Sequence, residues 1–319
     1  HSLPGASPMH NLGSPLPMSI GFFFNTMYNV VDSFYAGQVS TTALAALALS
    51  FPVFFIIIAV SEGIARGSSA LIANAIGAKD REEEIALSSQ VFSLGFLCAI
   101  GLTVIGLTVA PPLFKAMGAS GAYLDIANRY ISPLFWGAIF FLLSSMSNAV
   151  LLANGDSKTF GRVLVAGFFL NLVLDPWFLY GGFGLPAFGI AGIAWATVVI
   201  QALGGLYLLT TVWRRGYVRF TGLNCLMPQW KTYGMILKQG VPTSFNMMSI
   251  ALGFFVTTYF LKYYGQVSVA AFGVGTRIEQ IALLPAIGIS AAIVSVVGQN
   301  NGAGKLDRVR ECVQLCVCY

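Results

Sequence analysis

Long apolar blocks separated by short polar stretches set the plan of this chain. Span 1 covers about residues 15–36, span 2 about 42–77 with Pro52 inside it, and span 3 runs from Ile85 to Pro111-Pro112. Span 4 covers about 123–153 and span 5 runs from Phe160 to Tyr180, followed by a non-helical connection, Gly181-Gly-Phe-Gly-Leu-Pro186. Span 6 is about 189–213, span 7 about 232–263, span 8 about 268–303, and a ninth begins near Arg308. The eight complete blocks each reach the length of ~20 residues that an α-helix needs to cross a hydrocarbon core. The pattern predicts an all-α polytopic membrane protein.

Composition agrees. Of 319 residues, 56% are hydrophobic and 9% charged, against roughly 25% charged in soluble domains. Such a chain cannot cover a water-facing surface, so lipid must cover it. Gly 35 and Phe 25 suit helices that pack closely through small residues. The net charge of +5 raises nucleic acid as a partner, but the basic residues sit in short loops and set topology instead. Twelve Lys and Arg lie in the even-numbered loops: Lys79, Arg81; Lys158, Arg162; Arg214, Arg215, Arg219, Lys231, Lys238; Lys305, Arg308, Arg310. The odd-numbered loops hold only Lys115 and Lys262. This asymmetry predicts a multi-pass protein of the inner (plasma) membrane with a cytoplasmic N-terminus. Residues 1–14 carry no basic segment and cleavage site, and are expected to be an N-terminal cytoplasmic segment rather than a signal peptide. Five cysteines, Cys98, Cys225, Cys312, Cys316 and Cys318, lack metal-site spacing and are expected as unpaired thiols.

An internal repeat emerges next. Gly63-Ile64 and Gly77-Ala78 match Gly288-Ile289 and Gly302-Ala303 at an offset of 225, as Pro17 and Ser19 match Pro242 and Ser244. Gly37-Gln-Val-Ser40 matches Gly265-Gln-Val-Ser268 at 228. Span 1 thus corresponds to span 7 and span 2 to span 8, six spans apart, so both copies lie the same way up about an axis along the membrane normal. The division predicted is a six-helix lobe over 15–213, a cytoplasmic inter-lobe loop over 214–231 and an incomplete second lobe over 232–319. A full second copy needs twelve spans, which marks the chain as truncated.

Few ionisable residues lie within spans. Asp32 stands alone in span 1; Asn171 and Asp175 are four apart in span 5 and share a helix face. An Asn carbonyl and one or two carboxylates can hold a proton or coordinate a small hard cation such as sodium; the alternative is that each acid merely sits solvated near an interface. Glu62 and Arg66 are read as a local i,i+4 pair that lets both be inserted, and Asp125 and Arg129 as a solvated one. Arg277 and Glu279 face different sides of span 8, and Glu279 is open between transport and pairing. Asn148 either bonds a neighbouring helix or lines a cavity. The rings of spans 1 and 2 pack or face lipid, although aromatic faces beside a carboxylate also suit flat organic cations. No P-loop, Gly-x-Ser-x-Gly or His-Glu-x-x-His motif occurs, so no enzyme activity and no cofactor are expected, and if the chain pumps on its own an ion gradient is the expected energy source.

With Val31-Asp32-Ser-Phe-Tyr-Ala-Gly37, Asn154-Gly-Asp156, Asn171-x3-Asp175-Pro176 and the twin Gly77-Ala78 and Gly302-Ala303 endings, the chain resembles the multidrug and toxic compound extrusion (MATE) transporters over about residues 12–311. The resemblance is strongest to the DinF-like branch. It implies two six-helix lobes around a cleft and efflux of amphipathic, often cationic drugs or toxic metabolites in exchange for protons or sodium, by a monomer when full length. It implies ion coupling at Asp32, Asn171, Asp175 and Thr197, with sodium as one candidate at the first three, substrate contacts at Tyr28 and Asn148, and a hinge at Pro17. It departs from the family's other branch in span 7, where Thr257 stands at the place equivalent to Asp32. Two other readings are a flippase of a lipid-linked precursor, which should line its cavity with basic residues, and a non-transporting remnant.

Overall fold

The structure is a computed structural model that describes residues 15–182, 184–219 and 227–310. It comprises α1 (Pro15–Val39), α2 (Thr41–Ala78), α3 (Arg81–Ala116), α4 (Gly121–Trp136), α5 (Ala138–Ala153), α6 (Lys158–Tyr180), α7 (Ile190–Arg214), α8 (Trp230–Leu261) and α9 (Gln266–Gly302), with a 3-10 turn Lys262–Tyr264 before α9. No strand beyond one isolated bridge, Gly182 with Leu185, occurs among the described residues. By length and composition α2, α3, α6, α7 and α8 with its 3-10 extension can cross a membrane, and the bent pair α4–α5 makes a sixth span. α1 is 25 residues long but diluted by Asn25, Asn29 and Asp32.

Two span boundaries differ from expectation for identifiable reasons. α3 does not stop at Pro111-Pro112 but runs on to Ala116, where the Met117 amide closes the last turn on the Leu113 carbonyl at 2.9 Å. Span 4 is broken at Gly137 into α4 and α5, bent by 47°. There the Thr103 hydroxyl of α3 donates to the Phe135 carbonyl at 2.8 Å, an acceptor that a continuous helix would use itself. A side chain at Gly137 would run into Val198 of α7.

α2 is the centre of the bundle, packed against α8 on one side and α9 on the other. The approach is backbone to backbone. A Cβ at Gly67 would sit 2.7 Å from the Ile236 carbonyl and 2.8 Å from the Gly240 nitrogen, and one at Gly240 would sit 2.7 Å from the Gly63 carbonyl. Lipid supplies no apolar drive between helices, so such van der Waals contact is what holds them.

The α2–α9 contact carries the repeat. Gly273 faces Ala48 and Gly298 faces Ala73, and each pair differs by the repeat offset of 225. Equivalent residues touch one another only on a two-fold axis. The off-axis contacts are reciprocal: Gly77 meets Gln299, while Gly302 meets Asn74. The pseudo-axis therefore runs between α2 and α9.

One end of the bundle is closed by tight turns of one design. The Asp80 amide bonds the Ala75 carbonyl at 3.0 Å with Lys79 left-handed (φ 61°), and the Asp80 side chain caps α3 at Glu83. The Asp156 amide bonds the Leu151 carbonyl at 2.9 Å with Gly155 left-handed (φ 82°), and the Asp156 carboxylate accepts from the Thr159 amide (2.9 Å), the Thr159 hydroxyl (2.5 Å) and Arg215 Nη1 (2.7 Å). Gly304 (φ 71°) ends α9 likewise, and the chain is helical again over 306–310. Burial works against the Asp156 charge, but Thr159 and Arg215 outweigh it and hold its pKa below the usual carboxylate range.

α8 does not begin apart from the helices before it. Gln90 of α3 donates to the Met227 carbonyl (2.9 Å) and accepts from the Gln229 amide (3.0 Å), Ser93 pairs with the Tyr233 hydroxyl at 2.7 Å, and Tyr233 and Ile236 enter a core cluster with α2, α3, α5 and α7. The described ends of the inter-lobe loop are thus tied to α3, and residues 220–226 lie outside the described residues. Asp125 and Arg129 do not form the expected ion pair: the described pairs are Glu62–Arg66, Arg81–Glu84 and Asp156–Arg215. Residues 1–14 and four of the cysteines, Cys225, Cys312, Cys316 and Cys318, are outside the described residues, while Cys98 is half-buried and free.

Replacing Gly67 with Val will part α2 from α8 and lower the thermal midpoint of the detergent-solubilised protein, whereas Gly101→Ala, with nothing within 4 Å of the added methyl, will not. Removing the Asp156 cap with Asp156→Ala will cost about 1–2 kcal/mol. Because the folded carboxylate titrates below its unfolded value of about 3.9, that loss will be constant from neutral pH down to about 5 and fade as the wild type is acidified through the lower folded value. Denaturation midpoints across pH measure it.

Candidate functional site

α1 and α6 run side by side in the same direction, and small residues let them meet. A Cβ at Gly21 would stand 2.8 Å from the Gly161 Cα. About ten residues further along both helices, that register brings Asp32 to Asn171, whose Nδ2 donates to Asp32 Oδ1 at 3.0 Å. Asp175, one turn beyond Asn171, faces Asp32 as well. α7 approaches α6 through Gly192, where a Cβ would lie 2.8 Å from the Leu179 nitrogen, and so delivers Thr197. Tyr28, one turn before Asp32, turns its ring toward both acids and Thr197, and Tyr130 of α4 lies near it. Asp32, Asn171, Asp175, Tyr28 and Thr197 are all buried, with Asn171 and Asp175 wholly so.

The chemistry of this cluster is set by its oxygens. Both Asp175 carboxylate oxygens, Asn171 Oδ1 and the Tyr28 hydroxyl have no hydrogen-bond partner. Thr197 spends its proton on the Ile193 carbonyl at 3.1 Å, which leaves its lone pairs facing the cluster. Two carboxylates side by side away from water cannot both carry bare charge. A proton on one of them relieves the clash. So does a small hard cation, which takes an all-oxygen shell of carboxylate, amide carbonyl and hydroxyl. No imidazole or thiol is involved, and no cluster of three or more His, Cys, Asp or Glu occurs among the described residues.

The sequence-predicted residues do not all converge. Asn148 of α5 lies elsewhere, in a cleft with Phe22, Glu62 and Arg66. Glu62 and Arg66 are paired as expected, with Arg66 Nε to Glu62 Oε2 at 3.3 Å, but both stay partly exposed on the cleft wall. Pro17 is the third residue of α1, in the first turn, where backbone N–H groups have no intrahelical acceptor. It deletes no helix bond there. Thr257, the counterpart of Asp32, bonds its own helix at the Gly253 carbonyl (2.9 Å) and joins no acid. Tyr130 was not legible in the sequence, since a tyrosine in an apolar block gives no sign of which face it takes. Glu279 is exposed, and the side chain of Arg277 is outside the described residues.

The family model named MatE matches residues 17–177 and 242–319. The chain belongs to the MatE family. Among curated MatE relatives, it is 29% identical to the Probable multidrug resistance protein YoeA of Bacillus subtilis over 304 residues, 94% of this chain and 66% of that protein. It is 27% identical to the FAD transporter of Shewanella oneidensis over 312 residues, 97% of this chain and 68% of that protein. A solved structure described as the outward-facing conformation of a multidrug resistance MATE family transporter superposes with a TM-score of 0.84 at 29% identity, covering 97% of this chain and 68% of that one. The MatE chain described here therefore spans about two thirds of the length of these relatives. It is an integral membrane protein of a transporter family.

Sodium chloride, or a fall in pH, will raise the thermal midpoint of the purified protein by satisfying the paired carboxylates; for sodium at 100 times its dissociation constant the stabilisation is about 2.7 kcal/mol. Asp175→Asn removes one charge, so this variant will start from a higher midpoint and respond to neither. Choline chloride in place of sodium chloride controls for ionic strength.

Proposed function

We propose that this MatE protein belongs to a secondary antiporter that exports amphipathic, often cationic organic compounds across the inner membrane in exchange for protons or sodium. The observation that carries the reading is the buried group of unpartnered oxygens around Asp175, Asn171 and Tyr28 beside Asp32. A stably folded site of that kind in a membrane protein is expensive unless an ion visits it. The multidrug names of the relatives support a drug or toxic metabolite as cargo, and a monomer in the lipid bilayer suffices because the site lies within one chain.

In the proposed cycle the ion arrives from outside and neutralises Asp32 and Asp175. The neutral site no longer holds water or a drug cation against the apolar walls of α1 and α6. α1 then shifts against α6, with Pro17 acting where the chain enters the helix. The Lys and Arg asymmetry supports the orientation. The end that carries Lys79, Arg81, Arg215 and Lys305 is taken as cytoplasmic, and the end with the Lys262 turn as external.

Efflux of a cationic dye from cells producing the protein tests this. Asp32→Asn will abolish ion-driven efflux at unchanged protein level, and replacing sodium with choline at fixed pH, then collapsing the proton gradient at fixed sodium, will identify the ion. Undiminished efflux by Asp32→Asn would sink the assignment.

A further inference from the structure

The two copies of the repeat are fastened differently at the two ends of the molecule. At the end that carries Lys79 and Lys305, backbone meets backbone, with Gly77 against Gln299 and Gly302 against Asn74. Side chains reinforce that seam: Asn301 Nδ2 donates to Asn74 Oδ1 at 2.9 Å, and Gln299 Nε2 to the Ala153 carbonyl at 2.6 Å. At the other end, past Ala48 and Gly273, the described bonds between the copies are made by side chains around the α8–α9 turn. Lys262 Nζ donates to the Ala116 carbonyl at 3.3 Å, and the Thr42 hydroxyl to Gln266 Oε1 at 3.1 Å. Ala116 ends α3, where the last carbonyls have no donor in their own helix and favour a cation. The ammonium is aimed by its own element, 3.7 Å from the Tyr259 ring centre and 5.2 Å from that of Tyr263. Its stem lies along Gly118 (φ 93°), where an added Cβ would come within 3.1 Å of it. The repeat does not supply this contact. The helix ends align at an offset of 225, Val39 with Tyr264 and Thr41 with Gln266, which puts Gly37 at the place of Lys262.

We propose that Lys262 and Gln266 form a latch between the copies, which holds the external ends of α2, α8 and α9 together and opens without disturbing the opposite end. One turn below Lys262, Thr258 faces a small gap between these helices, walled by Phe51, Phe254 and Phe272. The rings lie 5.1 and 5.8 Å apart between centres and make no hydrogen bond across the gap. The latch bonds lie at the exposed rim, where water can replace either partner, so breaking them costs little and the contact is reversible. The seam at the far end lacks that option, since parting it exposes backbone packed too closely for a side chain. The latched end is therefore the one that opens first. The proposal goes beyond the efflux reading and takes from it only the naming of this end as external.

Access to position 258 tests the latch. The purified chain in lipid nanodiscs, its five cysteines replaced by alanine, carries Thr258→Cys, and its reaction with a charged thiol reagent that stays out of lipid is timed. Thr258 is 2% exposed, so labelling reports opening. Lys262→Met keeps the stem but not the ammonium and will label about five-fold faster, and Thr42→Val likewise, the weight of about one hydrogen bond each. The double variant will be faster than either. Lys262→Arg restores the cation and will keep the slow rate. Gln38→Ala, at the same end but bonded to Tyr180 within its own copy at 3.4 Å, will leave the rate unchanged. Equal rates in all variants, an acceleration by Gln38→Ala as large as that by Lys262→Met, or a wild type labelled as fast as the double variant overturns the proposal. No ion or cargo enters the measurement, so its failure leaves the antiport reading standing.

Discussion

Backbone meets backbone where α2 crosses α8 and α9, and the rest of the molecule is arranged around that closeness. Gly63, Gly67 and Gly240 leave no room for a side chain, and Gly273 and Gly298 meet their own repeat counterparts across the pseudo-axis. An α-helix turns by about 100° per residue. A glycine seam at 63 and 67 therefore fixes where 62 and 66 go: one step round the helix, off the packed face. Glu62 and Arg66 are on the cleft because their neighbours are glycines. The same residues that hold the two copies together aim the charges.

The acid cluster obeys the same logic at smaller scale. Gly21 against Gly161 and Gly192 against α6 bring three helices to contact, and the side chains one to three turns further on are pressed into one volume. Protein–lipid packing gives these helices no preference for one face over another. Polar groups supply it: Asn171 and Asp32 find each other because neither finds water. In the proposed cycle the oxygens left over are what receives the ion.

Much of this was legible in the residues. The apolar blocks placed the helices within a few residues, and the repeat offset of 225 appears again as physical contact between Ala48 and Gly273 and between Ala73 and Gly298. The i,i+4 spacing of Asn171 and Asp175 put them on one face, and Asp32 stood out by its cost in hydrocarbon. What escaped depended on neighbours. The break at Gly137 leans on Thr103 and Val198 from other helices, and within 123–153 only Pro133 and Gly137 hint at it. Asn148 was open between a helix bond and a cavity, and only the fold shows that it shares a cleft with Glu62 and Arg66 rather than with Asp32. The tie between Gln90 and the start of α8 likewise joins residues nearly 140 apart, with no local signal at either end.

The depth of Asp32 has an electrical meaning. It lies seven residues from the outer end of α1 at Val39, roughly 10 Å along the helix axis. In the proposed orientation an ion reaching it from outside crosses roughly a third of a hydrocarbon core about 30 Å thick. Moving one charge through the whole membrane is worth about 2.3 kcal/mol per 100 mV. In the proposed antiport cycle loading would thus draw about a third of the voltage, and release to the cytoplasm the remainder. A carrier built this way runs faster at negative interior potential chiefly because unloading, the longer part of the journey, is the step that the field pulls hardest.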